Sequence, residues 1–150
     1  MTRKDNPGVI APPPFIFLCF LILGYSLNRF YPLTVLEQPL NTIISAVFFV
    51  YAGLTAGLAF FYMTKSGTNV DVRKPTNTIV TVSVYSYTRN PMYLSMVILL
   101  IAFSLLLNAL WVALTIPFFM FVIQKGVIER EEIYLENKFG NEYMRYKNRF

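Results

Sequence analysis

The sequence predicts an all-α integral membrane protein with about four transmembrane helices. Hydrophobic residues make up 55% of the 150 residues and aromatic residues 17%, and the apolar content of soluble domains is about 45–50%. Three apolar stretches approach or exceed the roughly 20 residues that cross a bilayer, and the third is nearly double that length. We therefore expect a single membrane domain over residues 1–150.

Residues 1–13 are polar and then rich in proline, which predicts a flexible leader. The first apolar stretch covers residues 14–28 and can extend by a few residues. Because Arg3 and Lys4 precede it, a signal peptide is the alternative to a transmembrane helix. No small-residue cleavage site follows Leu21, and this favours a retained helix.

The second stretch, TIISAVFFVYAGLTAGLAFFYM at residues 42–63, contains no charged residue and predicts the second helix. Gly53 and Gly57 form a GxxxG motif, flanked by Ala52 and Ala56, and such a motif lets another helix approach closely. This pattern is compatible with two roles for the glycines. They can pack against another helix of the same monomer, or they can form a homodimer contact.

The third stretch, residues 92–127, contains no charge before Lys125. At about 1.5 Å per residue its 36 residues would reach about 54 Å, which is too long for one crossing of about 30 Å of hydrocarbon. Asn108 lies near its middle. We therefore expect a helical hairpin with a tight turn at residues 108–111.

The remaining segments are more polar. Residues 64–90 are rich in Gly, Asn, Thr and Pro, which argues against a helix, and the single alternating run TIVTVSVYSY cannot form a sheet alone. We expect an ordered, extended loop. The tail, residues 129–150, places its apolar residues on one helical stripe with a break near Gly140, and predicts an amphipathic helix on the membrane surface.

The basic residues predict the orientation. If the N-terminus is inside, Arg29 alone lies outside and twelve of the thirteen lysines and arginines lie inside. This excess favours cytoplasmic N- and C-termini in a multi-pass protein. The net charge of +5 is then explained by attraction to anionic membrane lipids, and no nucleic acid is needed as a partner. The twelve are Arg3, Lys4, Lys65, Arg73, Lys74, Arg89, Lys125, Arg130, Lys138, Arg145, Lys147 and Arg149.

The composition also excludes several kinds of site. The chain has no histidine and a single cysteine, Cys19, so a Ser-His-Asp triad, a disulfide within the chain and a cysteine metal cluster are all excluded. We expect no metal. Any chemistry must use carboxylates, arginine, tyrosine and the backbone.

Polar residues lie at both ends of the predicted hairpin, which meet on one face of the membrane. At the entry these are Arg89, Asn90 and Tyr93, and at the exit Glu129, Glu131 and Glu132. Pro91 between them suits the first turn of a helix, where no N–H is needed. The set suits a cofactor that carries both a carboxylate and an ammonium group. A surface ion pair without a catalytic role is the alternative on spacing alone.

These residues give the chain a resemblance to the membrane methyltransferases that include isoprenylcysteine carboxyl methyltransferase and the phospholipid N-methyltransferases. That family's pattern is approximately TLVTxGxYxxxRHPxYxG, a helical hairpin, and EExxLxxxFGxEYxxY. This chain reads NTIVTVSVYSYTRNPMYLS from Asn77 and EEIYLENKFGNEYMRY from Glu131. The resemblance covers about residues 65–149, which would form the cofactor-binding core.

The resemblance implies methyl transfer from S-adenosylmethionine to a lipophilic substrate that enters from the bilayer, such as an isoprenylcysteine carboxylate or a phospholipid amine. It implies that Arg89 supports the loop and balances the glutamates, and that Glu132 or Tyr93 assists catalysis. The cofactor-binding residues that it implies are Asn77, Thr78, Ile79, Val80, Tyr85, Asn90, Pro91, Met92, Tyr93 and Glu131.

Three residues depart from the family pattern. Asn90 replaces the usual histidine but keeps a hydrogen-bonding side chain. Ser83 occupies a position where glycine is common, which matters if the backbone there needs a positive φ. Val127 replaces a substrate-binding arginine of the isoprenylcysteine enzymes, one helical turn before Glu131 and on the same face. This replacement argues against a prenylcysteine carboxylate as the substrate, unless Lys125 or Arg130 substitutes for the arginine.

Two other functions stay open. The sterol reductases look similar in the C-terminal region, but they are much longer and use a nicotinamide cofactor. A non-enzymatic membrane scaffold would instead depend on the GxxxG motif and the amphipathic tail.

Overall fold

The fold is all-helical, as the sequence predicts. The structure is a computed structural model, and it describes residues 5–150; the first part of the predicted leader, with Arg3 and Lys4, lies outside the described residues. Within residues 5–150 there is no β-strand, and the run TIVTVSVYSY forms an extended segment and one short 3-10 turn, Ser83–Ser86. The helices are α1 Pro13–Phe30, α2 Leu40–Lys65, α3 Pro91–Leu106, α4 Leu110–Ile123, α5 Glu129–Phe139 and α6 Asn141–Lys147.

The helix lengths are those of a membrane protein. Among the described residues, α1, α2 and the continuous helix Leu110–Phe139 are long and apolar enough to cross a bilayer. The apolar α3 has 16 residues, or about 24 Å at about 1.5 Å per residue. A fourth crossing through α3 therefore stays a prediction.

The predicted hairpin is confirmed, with its turn at residues 107–109 between α3 and α4. Asn108 has a φ of 48°, a conformation that asparagine tolerates better than most residues. Its side-chain Oδ1 accepts hydrogen bonds from the backbone N–H groups of Val35 at 2.7 Å and Leu36 at 3.2 Å. The turn is thereby fixed to the segment that joins α1 to α2.

The helices pack in the spatial order α2, α3, α4, α1. Ala52 and Ala59 of α2 are fully buried. Gly53 and Gly57 are exposed, and a Cβ added at either position would meet no other atom within 4 Å. The GxxxG motif therefore does not pack within the monomer, and a homodimer through it stays a prediction. The main core cluster joins α1, α3 and α4 and contains Ile16, Tyr93, Leu100, Ala109, Val112, Phe119, Ile123, Val127 and Ile128.

Helices α1 and α4 approach each other most closely at Gly24. A Cβ at this position would lie 2.6 Å from Val112 Cα and 3.1 Å from the carbonyl oxygen of Trp111. Both are backbone atoms, which cannot move aside as a flexible side chain can. Only glycine fits this contact.

We expect Gly24→Ala to lower the free energy of unfolding in detergent by about 1–3 kcal/mol, the usual effect of overpacking. Gly53→Ala is the matched control, because the exposed glycine has open space around it and alanine favours the helix. Thermal unfolding of both variants tests this contact. Equal melting temperatures for the two would contradict the close packing of α1 on α4.

The helix from α4 to α5 contains one wide turn. Residues Gln124–Ile128 form a π-helical turn, a feature that is frequent at functional sites. The carbonyl oxygen of Gly126 accepts a hydrogen bond from the Ile10 backbone N–H at 3.2 Å, and the Ile10 side chain lies directly over Gly126. The wide turn is thus covered by the N-terminal segment.

Residues 5–12 contact the helix bundle, and the flexibility expected of the leader stays a prediction. They make side-chain and backbone hydrogen bonds to the helix that follows the wide turn, at Arg130, Tyr134 and Lys138. Long-range contacts of this kind leave little signal in a short proline-rich sequence.

Candidate active site

A pocket lies at the polar end of the bundle, where α2 ends and α3 begins. Its walls are the 66–90 loop, the start of α3, α5 and α6, so the hairpin does bring its two ends together. The lining residues are Met63, Thr68, Val70, Val72, Thr76, Thr78, Ile79, Val80, Tyr85, Arg89, Asn90, Pro91, Met92, Tyr93, Glu131, Glu132, Leu135, Tyr143 and Tyr146.

One side of the pocket carries a charge cluster. Arg89 Nη1 lies 2.8 Å from Glu132 Oε1, and Lys147 Nζ lies 2.9 Å from Glu132 Oε2. Lys147 also pairs with Glu136. Although Arg89 Nη1 is buried and close to Glu132, its N–H groups make no hydrogen bond of acceptable angle. Arg89 therefore supports the carboxylate and keeps hydrogen-bonding capacity for a further acceptor.

The second carboxylate, Glu131, has a different environment. Its Oε2 accepts a hydrogen bond from the Tyr93 hydroxyl at 2.7 Å, across 38 residues of sequence. Within the described residues no lysine or arginine pairs with Glu131. The sequence predicts that Arg89 balances both glutamates. In the structure Arg89 pairs with Glu132, whereas Glu131 contacts Tyr93.

Three tyrosines close the pocket on the side of α6. The Tyr146 hydroxyl donates a hydrogen bond to the Tyr85 carbonyl oxygen at 2.7 Å, which fastens α6 to the 3-10 turn. Burial raises the pKa of Tyr146 to about 12, and burial with the nearby Glu132 charge raises the pKa of Tyr143 to about 12. Burial and the Glu131 charge also raise the pKa of Tyr85. All three phenols therefore stay protonated at neutral pH.

Of the site residues expected from the sequence, all but Asn77 line the pocket. The Asn77 backbone N–H donates to Thr68 Oγ1 at 3.0 Å, and its side-chain Nδ2 donates to the Gly67 carbonyl oxygen at 2.8 Å. Asn77 is exposed and closes the loop on itself. Asn77 does not line the pocket, because these local hydrogen bonds hold its side chain in the loop, and its contact with the cofactor stays a prediction.

Sequence reasoning missed several lining residues. Tyr143 and Tyr146 belong to the quoted EYMRY stretch, so their spacing in that motif was a usable signal. Val70, Val72 and Thr76 come from the loop before the first motif. Nothing in their local sequence distinguishes them from exposed loop residues.

Val127 and Glu129 lie outside the pocket. Val127 is fully buried in the core of α1, α3 and α4, and Glu129 pairs with Lys125 on the exposed side of the helix. The structure places Val127 in this core and Glu131 in the pocket, and the shared helical face of the two residues stays a prediction. A charge at position 127 would be placed in the apolar core.

The departure at Ser83 has a structural consequence. Ser83 has a φ of 57°, the left-handed conformation for which glycine is the usual residue. It opens the 3-10 turn that carries Tyr85. The family's glycine thus corresponds to a backbone requirement that this chain meets with serine.

We expect Ser83→Gly to keep or raise the melting temperature and Ser83→Val to lower the free energy of unfolding by about 1–3 kcal/mol, because a β-branched residue is strained at positive φ. Ser66→Val is the control, since it makes the same change at an exposed residue with a φ of -84°. Thermal unfolding in detergent is the measurement. A Ser83→Val protein as stable as the wild type would contradict the left-handed conformation.

We expect Tyr146→Phe to lower the free energy of unfolding by about 1–3 kcal/mol, because it leaves the buried Tyr85 carbonyl without its donor. Since folding raises the phenol pKa, the loss should be constant below the unfolded-state value of about 10 and should shrink only above it. Tyr87→Phe is the control, as Tyr87 is 85% exposed. Denaturation at pH 6, 8 and 9 measures both variants, and an equal effect of the two would contradict the role of this hydrogen bond.

Comparisons with known proteins identify a family. The model of the family described as phospholipid methyltransferase matches residues 40–142, from α2 into α6. A protein of Haemophilus influenzae described as uncharacterized is 47% identical over 58 residues, which are 39% of this chain and 92% of that protein. No solved structure matches the chain.

Proposed function

This chain belongs to the phospholipid methyltransferase family, and from that premise we propose that it transfers a methyl group from S-adenosylmethionine to a membrane lipid. The observation that carries the proposal is the meeting of the two motifs in one pocket, joined by the hydrogen bond between Tyr93 and Glu131 at 2.7 Å. A site at the water boundary of the bundle is within reach of both a soluble cofactor and a lipid headgroup.

The residues present fit S-adenosylmethionine. The buried Arg89 Nη1, which lies beside Glu132 but makes no hydrogen bond, suits the carboxylate of the methionine portion, and Glu131, which has no cationic partner among the described residues, suits its ammonium group. Thr78, Ile79 and Val80 offer backbone and apolar contact for the adenosine. The pocket thus combines apolar walls with a few polar groups, as small-molecule sites do.

When bound, S-adenosylmethionine supplies an activated methyl group on a sulfonium, so the protein has to position the reactants and exclude water. Pro91, Met92 and Tyr93 at the start of α3 form one wall, and Tyr143 and Tyr146 of α6 form another. These side chains exclude water from the transfer site. The chain needs no metal-binding residues for this step.

The charge distribution supports an amine as the methyl acceptor. Glu132 is offset by Arg89 and Lys147, whereas Glu131 has only the Tyr93 hydroxyl. A lipid ammonium must lose a proton before its nitrogen can attack. Since Glu131 is assigned to the ammonium group of the cofactor, Glu132, the other carboxylate that lines the pocket, is the group we propose to take that proton. Val127 in the core offers no cation for a carboxylate acceptor.

The proposed orientation sets the pocket in the cytoplasm, with four crossings and both termini inside. It is supported by the excess of basic residues at this end of the bundle, including Lys65 at the end of α2 and Arg73 and Lys74 of the connecting loop. S-adenosylmethionine would enter from the cytoplasmic side, and the lipid would enter from the bilayer.

We expect Glu131→Gln to weaken binding of S-adenosylmethionine and S-adenosylhomocysteine by about tenfold or more, the effect of losing one charge-assisted hydrogen bond. Glu142→Gln is the matched control, because it makes the same change at an exposed residue that does not line the pocket. Calorimetric titration of the purified proteins in detergent measures both.

A folded wild-type protein that binds neither compound would contradict the proposed function. Preferential binding of NADPH would favour the reductase alternative. Unchanged function in Glu131→Gln and Asn90→Ala, with loss of assembly in Gly53→Leu, would favour a scaffold.

A further inference from the structure

Residues 5–10, which we call the N-terminal strap, are fastened along α5 on the side away from the pocket. Arg130 Nη1 donates to the Gly8 carbonyl oxygen at 2.8 Å, and Lys138 Nζ contacts both Asp5 carboxylate oxygens at 2.9 and 2.8 Å. The Ile10 backbone N–H and side chain cover Gly126. The strap therefore follows the helix from the wide turn almost to its end.

The contact residues on the helix are regularly spaced. Arg130, Tyr134 and Lys138 lie four residues apart and so occupy one helical face. Glu131, Glu132 and Leu135 line the pocket from the neighbouring face. Helix α5 is thus held between the strap and the pocket.

Tyr134 joins the strap to the pocket wall. Its hydroxyl donates to Asp5 Oδ1 at 2.7 Å and accepts from the Thr76 backbone N–H at 3.1 Å. Lys138 Nζ lies 2.9 Å from the same hydroxyl. Because Thr76 lines the pocket, a single phenol connects residue 5 to the loop beside the cofactor site.

This connection matters because the loop, although Val72 and Val80 pack against the core, has few hydrogen bonds to the rest of the chain. Between residues 70 and 80, the hydrogen bonds of the described chain are local, apart from that of Thr76. The Thr76 N–H to Tyr134 bond is therefore the one hydrogen bond in the described chain that joins residues 70–80 to a helix. Loops held by so few bonds open locally at low cost in free energy.

We propose that Tyr134 is a positioning residue, and that the strap, through Asp5 and Tyr134, holds the 70–80 loop in the conformation that binds the cofactor. This inference rests on the proposed function. Asp5 orients the hydroxyl, and Tyr134 in turn fixes Thr76 and the neighbouring Thr78–Val80 wall. Neither Asp5 nor Tyr134 lines the pocket, so both act through the loop.

The test uses the full chain with Tyr134→Phe and Asp5→Asn, singly and combined, and S-adenosylhomocysteine as the probe. Tyr87→Phe and Glu142→Gln make the same kinds of chemical change at exposed residues and serve as controls. We expect each strap variant to raise the dissociation constant about three- to tenfold, which corresponds to one hydrogen bond. The double variant should be less than additive, because both changes break the same connection.

Hydrogen exchange gives a readout that does not need the cofactor. Tyr134→Phe and Asp5→Asn should speed exchange in residues 70–80, and the two controls should leave it unchanged. Unchanged exchange in this loop would overturn the proposal. So would wild-type affinity in both strap variants when the wild-type protein binds the probe. If the wild type binds no probe, the proposed function fails, and exchange alone decides whether the strap orders the loop.

Discussion

The turn at Asn108 is the constraint on which the rest of the structure depends. An apolar run of residues 92–127 cannot remain one helix within about 30 Å of hydrocarbon, and the turn folds it back on itself. Its two ends then meet, so that Tyr93 and Glu131 come within 2.7 Å of each other. Hydrogen bonds from Val35 and Leu36 to Asn108 hold the turn. The site at one end of the bundle thus depends on a contact at the other.

Some polar groups of the pocket are paired within the protein, and others can still bind a ligand. Glu132 is paired with Arg89 and Lys147, and Tyr146 is committed to the Tyr85 carbonyl oxygen. Glu131 and one nitrogen of Arg89 keep capacity for a ligand. Since burying a charged group is costly unless an opposite charge pairs with it, Glu131, which has no cationic partner among the described residues, is more easily explained by a ligand than by the needs of folding.

Much of the fold followed from lengths and spacings. Residues 92–127 are too long to cross a bilayer once, and this length predicts the hairpin. The position of Gly140 predicts the break between α5 and α6. The paired motifs identify most of the pocket. The exceptions depend on contacts that the local pattern does not show. Asn77 is turned away by hydrogen bonds within its loop, and the N-terminal segment is held by residues more than 100 positions later.

The π-helical turn at Gln124–Ile128 changes the helical register between α4 and α5, which would otherwise form one regular α-helix. Its i→i+5 hydrogen bonds take one more residue than an α-helical turn, so the positions that follow are shifted by one residue relative to an unbroken α-helix. Helix α4 can therefore match its apolar face to α1 and α3 independently of how α5 aims its glutamates. The wide turn thus separates the part of this helix that packs in the bundle from the part that lines the pocket.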